Sequence, residues 1–332
     1  MHEVTWPVAG WLVLAMIVVP VATLLSKGLL LASRRWHHDP SKSGSWVAYG
    51  LLVSPVVLPL AWLSSAAIHH AEPGVGARAC RWDAVEDVCM EPLGFAAVLA
   101  LFIVVSGVRR RDVIAGVVAG APASSNAALR ARLDKLGVAG AHLDRIRIVE
   151  GYAVRTVGLV RPTIELGVSS AAALDDRALA AALMHEAAHC ESHDPLRYLV
   201  AVLCETVNPL GRLLAPDLQR WRVAREQACA RQAVHRGADP LALAHAILIA
   251  ARHPRHARGS VGLSNAGTRI QDRVDLLLGY QSAPPACTCS RAGWLATALV
   301  ASVVLVAPHA FDAWPLHNLH VALETDAHMA SP

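Results

Sequence analysis

Two histidines and a glutamate stand at the spacing of a metal-dependent hydrolase. The segment His185-Glu186-Ala-Ala-His189 places two imidazoles four residues apart, on one face of a helix, where both can bind one metal ion. Glu186 can reach a water molecule beside that ion and act as a general base. The motif lies in an apolar stretch, where unpaired imidazoles would be costly. We therefore predict one zinc ion per chain, with His185 and His189 as ligands and Glu186 as the catalytic residue.

A catalytic zinc ion takes a third protein ligand and leaves its fourth position to water. His193 lies too far along the same helix to share an ion with His185, and Glu191 is too close on that helix. The remaining acidic candidates are Glu205 and Glu226. We favour Glu226, because the residues that follow it are small and would let two helices approach closely.

Several motifs together resemble those of the BlaR/MecR-type integral-membrane zinc metallopeptidases. The resemblance rests on the zinc-helix motif, Asp194-Pro-Leu, Asn208-Pro-Leu, Arg225-Glu-Gln-Ala-Cys229 and Gly158-Leu-Val-Arg-Pro-Thr-Ile164. It implies a membrane-bound zinc endopeptidase in which Glu226 is the third ligand. It also implies a protein substrate, such as a small DNA-binding repressor in a signalling pathway.

The chain departs from that family at two places. Ala230 stands where the family carries an Asp after the Cys, and an Asp there could orient a histidine ligand. Asp194 is a candidate substitute, with a helix N-cap as its alternative role. Only 21 residues follow Phe311, too few for the family's C-terminal penicillin-binding sensor domain. Two alternatives stay open: a catalytically inactive pseudoprotease that acts as a membrane signalling scaffold, and a protease for membrane-protein quality control.

The segment between 109 and 291 is predicted to be an α+β domain with few strands. Strands are expected near 145–149, 153–159 and 163–168, and helices over 127–136, 175–190, 217–236 and 240–252. Apolar residues alternate along the third strand, which predicts one buried and one exposed face. Separately, we expect a substrate strand to add to this strand at an exposed edge, with Thr163, Ile164, Glu165 and Leu166 as the substrate-binding residues. Arg273 is a candidate for stabilising an oxyanion, with an exposed helical arginine as the alternative.

Composition indicates a membrane protein. The chain is 54% hydrophobic and 17% charged, whereas soluble domains carry nearer a quarter charged residues, and this excludes a disordered or nucleic-acid-binding chain. Four segments are candidate spans, at 8–26, 46–68, 92–108 and 292–311. The predicted fold is thus a four-span α-helical membrane protein, with the zinc metallopeptidase domain inserted between spans three and four.

The charges predict how such a chain would be oriented. Of the 30 Lys and Arg residues, 24 lie between Arg109 and Arg291, and positive residues stay on the cytoplasmic side. We therefore expect a multi-pass protein of the plasma membrane, in contact with lipid, with its N-terminus and its tail at 312–332 outside and the protease domain in the cytoplasm. Cys80 and Cys89 fall in an external loop, where they are either a disulfide or two free thiols.

Overall fold

The computed structural model describes residues 19–36, 44–71, 104, 107–118, 122–137, 143–252, 261–262, 274 and 277. This part of the chain is mostly helical, with one small sheet. The helices are α1 (Val19–Trp36), α2 (Gly44–Ala71), α3 (Arg111–Val118), α4 (Ala127–Lys135), α5 (Val168–Ala173), α6 (Asp176–Glu191), α7 (Asp194–Val207), α8 (Ala215–His235) and α9 (Pro240–Arg252). The strands are β1 (Ile146–Val149), β2 (Val154–Val157), β3 (Thr163–Gly167) and β4 (Val261–Gly262).

The sheet has the order β1-β3-β2-β4, so that β3 lies inside it. Strand β3 runs parallel to β1, with Ile164 opposite Ile146, and antiparallel to β2, with Thr156 opposite Ile164. The two-residue strand β4 pairs with the other side of β2. Alternation along the strands sends apolar side chains such as Ile148 and Leu166 into the core, where both are almost fully buried.

Helix α6 packs between this sheet and helices α8 and α9. It begins where the carboxylate of Asp175 accepts a hydrogen bond of 2.7 Å from the backbone N–H of Ala178, which satisfies one of the free donors of the first turn. Its alanines and leucines, among them Leu179 and Leu183, are buried in the main core together with Leu243 of α9. The segment from His185 to His189 therefore lies in a helix that is enclosed between the sheet and two other helices.

Helices α1 and α2 pack against α7 and α8. Their Leu30 and Leu52 share a hydrophobic cluster with Tyr198 of α7 and Trp221 of α8. Polar contacts support the same packing, because Lys27 binds Asp217 at 2.6 Å. Apolar residues of the N-terminal segment thus contribute to the core of the domain.

Within the described ranges, no helix combines the length and the apolar character that crossing a bilayer requires. The prediction of a four-span membrane protein is therefore wrong, and so is the multi-pass plasma-membrane location on which the predicted orientation of the N-terminus and of the protease domain depended. Average hydropathy does not distinguish a membrane span from a helix that packs on a domain, and here Leu30 of α1 and Leu52 of α2 are buried against α7 and α8.

Some predictions fall outside the residues that the structure describes. They are the segment 292–311, the tail 312–332, most of 92–108, the pair Cys80 and Cys89, and Arg273.

Candidate metal centre

Helix α6 brings His185 and His189 together on one face. Their Nε2 atoms lie 3.3 Å apart, and both residues are completely buried. The separation follows from the helix, since residues four apart project side by side. Two imidazole nitrogens that meet inside a core at this distance can both coordinate one cation.

Glu226 of helix α8 completes a group of three donors. Its Oε2 lies 3.5 Å from Nε2 of His185, and its Oε1 lies 3.7 Å from Nε2 of His189. Glu226 is almost fully buried, and Ala230 and Ala233 on the same helix are buried in the core. These small residues let α8 approach α6 closely, as the sequence predicted. The group of His185, His189 and Glu226 can hold a metal ion.

The other acidic candidates and His193 lie elsewhere. Glu205 pairs with Arg110 at 3.0 Å, and Glu191 is on the surface, where it binds Arg236. Helix α6 ends at Glu191, and His193 is exposed, with its Nδ1 3.3 Å from the carbonyl oxygen of Glu191. The geometry thus brings only Glu226 among these residues to the paired histidines.

Three further side chains, from Asp194, Arg225 and Cys229, contact His189 or its hydrogen-bond partner. Nδ1 of His189 lies 2.8 Å from Oδ2 of Asp194, and Arg225 donates to Asp194 through Nε and Nη2, each at 3.0 Å. Cys229 is also close, with Sγ 3.4 Å from Nδ1 of His189. His189, Asp194 and Cys229 form a second group whose atoms can hold a metal ion.

Charges around His189 change its protonation. Burial alone would lower the pKa of His189, but the neighbouring Cys229, Glu226 and Asp194 raise it well above its ordinary value. Because burial raises the pKa of the Cys229 thiol, the two carboxylates carry this effect at neutral pH. Burial would raise the pKa of Asp194 as well, yet its bonds to His189 and Arg225 lower it to about 2. The carboxylates of Asp194 and Glu226 thus favour positive charge on the ring of His189.

Glu186 directly follows His185 on α6, and a residue of the sheet donates a hydrogen bond to its carboxylate. The hydroxyl of Thr156, on β2, donates to Oε2 of Glu186 at 2.8 Å and lies 3.0 Å from its backbone oxygen. Both side chains are buried. Thr156 was not predicted, and only the pairing of β2 beneath α6 reveals it.

Strand β3 is not a substrate-binding edge, contrary to the prediction. Its neighbours β1 and β2 occupy both of its sides, so the backbone groups of Thr163–Gly167 already belong to the sheet. Ile164 and Leu166 are core residues. Glu165 is buried between Arg147, at 3.2 Å, and Arg155, at 2.9 Å. The role of Thr163, Ile164, Glu165 and Leu166 is therefore to support the sheet.

A small cleft adjoins the metal-binding group. It has a volume of about 20 Å³ and is lined by His189, Asp194, Tyr198, Trp221, Arg222, Arg225 and Glu226. This volume is far below the roughly 300–1,000 Å³ of ordinary ligand pockets. The cleft therefore has room for about one water molecule beside Glu226, and a peptide would have to widen it.

Comparisons with known proteins add no family. No protein-family model and no curated protein matches the chain. The resemblance to the BlaR/MecR-type metallopeptidases therefore rests on the motifs in the sequence.

Proposed function

We propose that this chain is a zinc-dependent endopeptidase, with His185, His189 and Glu226 as the zinc ligands and Glu186 as the general base. The observation that carries the proposal is the spacing of the donor atoms. The two Nε2 atoms are 3.3 Å apart, Oε2 of Glu226 lies 3.5 Å from Nε2 of His185, and Oε1 of Glu226 lies 3.7 Å from Nε2 of His189. Zinc binds imidazole nitrogen and carboxylate oxygen at about 2.0–2.2 Å in a tetrahedron, whose edges are then roughly 3.3–3.6 Å long. These separations are close to the edge lengths of such a tetrahedron.

The chemistry of the donors supports zinc over calcium and magnesium. Calcium and magnesium prefer shells made of oxygen, whereas two imidazoles and one carboxylate are a ligand set of catalytic zinc sites. Such a site has three protein ligands and one open position. Two of the three proposed ligands, His189 and Glu226, line a small cleft, whereas His185 and Glu186 do not.

When bound, zinc supplies a Lewis acid that polarises the scissile carbonyl and acidifies water. Glu186 accepts a proton from the attacking water while the water oxygen bonds to the carbonyl carbon. Glu186 then returns the proton to the amide nitrogen, which leaves as an amine when the C–N bond breaks. Thr156 holds the carboxylate of Glu186 during both transfers through its bond of 2.8 Å.

The proposal is tested by separating metal binding from catalysis. The Glu186→Gln variant is expected to keep its zinc, because Glu186 is not a ligand, and to lose cleavage of an unfolded protein substrate and of itself. The His189→Ala variant is expected to lose both. Cleavage by Glu186→Gln at the wild-type rate would contradict the proposal. A wild-type protein that holds zinc and cleaves nothing would favour the inactive signalling scaffold.

The motif resemblance extends the proposal to the substrate, which we take to be a small DNA-binding repressor. Proteomic comparison of cells carrying the wild type with cells carrying Glu186→Gln tests this step. The expected result is a repressor fragment that is present only with the wild type. Accumulation of misfolded membrane proteins alone in the variant would favour the quality-control function instead.

A further inference from the structure

A carboxylate binds the imidazole of His189 on the side opposite to the candidate metal position. Nδ1 of His189 lies 2.8 Å from Oδ2 of Asp194, while Nε2 faces His185 and Glu226. A carboxylate on one ring nitrogen fixes the proton there and leaves the other nitrogen as a ligand. This contact sets both the tautomer and the orientation of the ring.

Asp194 is itself fixed by an arginine. The guanidinium of Arg225 donates two parallel hydrogen bonds of 3.0 Å, one to each oxygen of the carboxylate, and Arg197 lies 3.6 Å from Oδ1. Such two-pronged pairs are strong and specific in geometry. The side chain of Asp194 is 3% exposed and that of Arg225 is 12% exposed, so water competes little for either group.

The arginine that binds Asp194 and one of the proposed metal ligands lie on the same turn of α8. Arg225 directly precedes Glu226 on α8, and Asp194 begins α7 after His193, which turns the chain in a left-handed conformation with φ 51°. His193, not Asp194, occupies the N-cap position of α7. The packing of α7 against α8 therefore sets the position of His189 together with that of Glu226.

Ala230 cannot perform this task. Its methyl group is buried in the hydrophobic core, and it carries no hydrogen-bonding side chain. We infer that Asp194, clamped by Arg225, is the positioning residue that presents Nε2 of His189 to the metal ion, in place of the acidic residue that this chain lacks at position 230. The inference rests on the ligand set of the proposed function and assigns two further residues to the centre.

The test measures metal affinity rather than activity. The full-length, metal-free protein is titrated with Co²⁺, in competition with a chromophoric chelator, and the visible absorption spectrum of the bound ion is recorded. Asp194→Asn is expected to bind Co²⁺ about 10–100-fold more weakly and with an altered spectrum. Arg225→Lys keeps the charge but loses the two-pronged bond, and about a tenfold loss is expected.

The matched control is Asp217→Asn. Asp217 is an equally buried aspartate on α8, but it pairs with Lys27 at 2.6 Å, away from the histidines. This control is expected to bind Co²⁺ as the wild type does, which would show that losing a buried carboxylate does not by itself weaken the site. Wild-type affinity and spectrum in both Asp194→Asn and Arg225→Lys would overturn the inference, as would an equal loss in the control. If the wild type itself bound no Co²⁺, the metal centre of the proposed function would fail instead.

Discussion

The hydroxyl of Thr156 on β2 lies 2.8 Å from Oε2 of Glu186 on α6, so the sheet holds the proposed general base. Removing the hydroxyl in Thr156→Val leaves the carboxylate free to turn away from the attacking water. We expect kcat/KM for peptide cleavage to fall about 10- to 150-fold, since a hydrogen bond to a charged group contributes about 1.5–3 kcal/mol. Zinc content should not change. The Thr156→Ser variant keeps the hydroxyl and should retain activity; equal activity in the valine and serine variants would contradict this role.

A buried ion group crosses the sheet. Glu165 lies between Arg147 and Arg155, and its side chain is completely buried. Removing the carboxylate in Glu165→Ala leaves two arginines facing each other, and we expect the free energy of unfolding to fall by about 3 kcal/mol. The control is Glu191→Ala, which breaks an exposed pair with Arg236 and should cost less than about 1 kcal/mol. Urea unfolding of both variants measures the difference. Equal losses would contradict the account of β3 as an interior strand.

His193 adopts a backbone conformation that favours glycine, with φ 51° and ψ 38°. Because a side chain strains the left-handed region, we expect His193→Gly to be more stable than His193→Ala by about 1 kcal/mol. Both variants should keep the metal, since His193 is not a ligand. Thermal unfolding and metal analysis check both points. An alanine variant at least as stable as the glycine variant would show that the turn is not strained.

Tyr49 reports on the packing of α2 against the domain. Its ring lies 5.3 Å from that of Trp221, and burial raises its pKa to about 12, with Cys204 adding to the shift and Arg197 opposing it. A pKa that is higher in the folded than in the unfolded chain gives stability that is complete below pH 10 and is lost as the pH rises towards 12. The wild type should therefore lose stability relative to Tyr49→Phe over that interval. A tyrosine absorbance difference between the two proteins that titrates near pH 10 would contradict the packing.

The core of the metal centre was predictable because helix geometry determines it. The spacing of His185 and His189 requires only that their segment be helical, and the helix predicted over 175–190 is observed as Asp176–Glu191. Glu226 followed from excluding closer acidic residues and from the small residues beside it. These features depend on local sequence or on a simple packing rule.

The remaining features depend on contacts between distant segments. The alternation in 163–168 marks a strand with a buried face, but it does not tell which strands flank it, and β3 proved to be interior. Hydropathy indicates that α1 and α2 are apolar, but it does not predict that Leu30 and Leu52 pack against α7 and α8. The paired hydrogen bonds from Arg225 to Asp194 depend on how the chain turns at His193 before α7 and on how α7 packs against α8.

The most direct test of the account is the zinc content of Glu226→Gln beside that of Glu205→Gln. Each protein is purified at full length, dialysed against buffer with trace zinc, and analysed for metal per chain. Glu226 lies within 3.7 Å of a histidine Nε2, whereas Glu205 pairs with Arg110. We predict one zinc ion per chain in the wild type and in Glu205→Gln, and little or none in Glu226→Gln. Full zinc in Glu226→Gln, with loss in Glu205→Gln, would contradict the ligand assignment and the proposed mechanism with it.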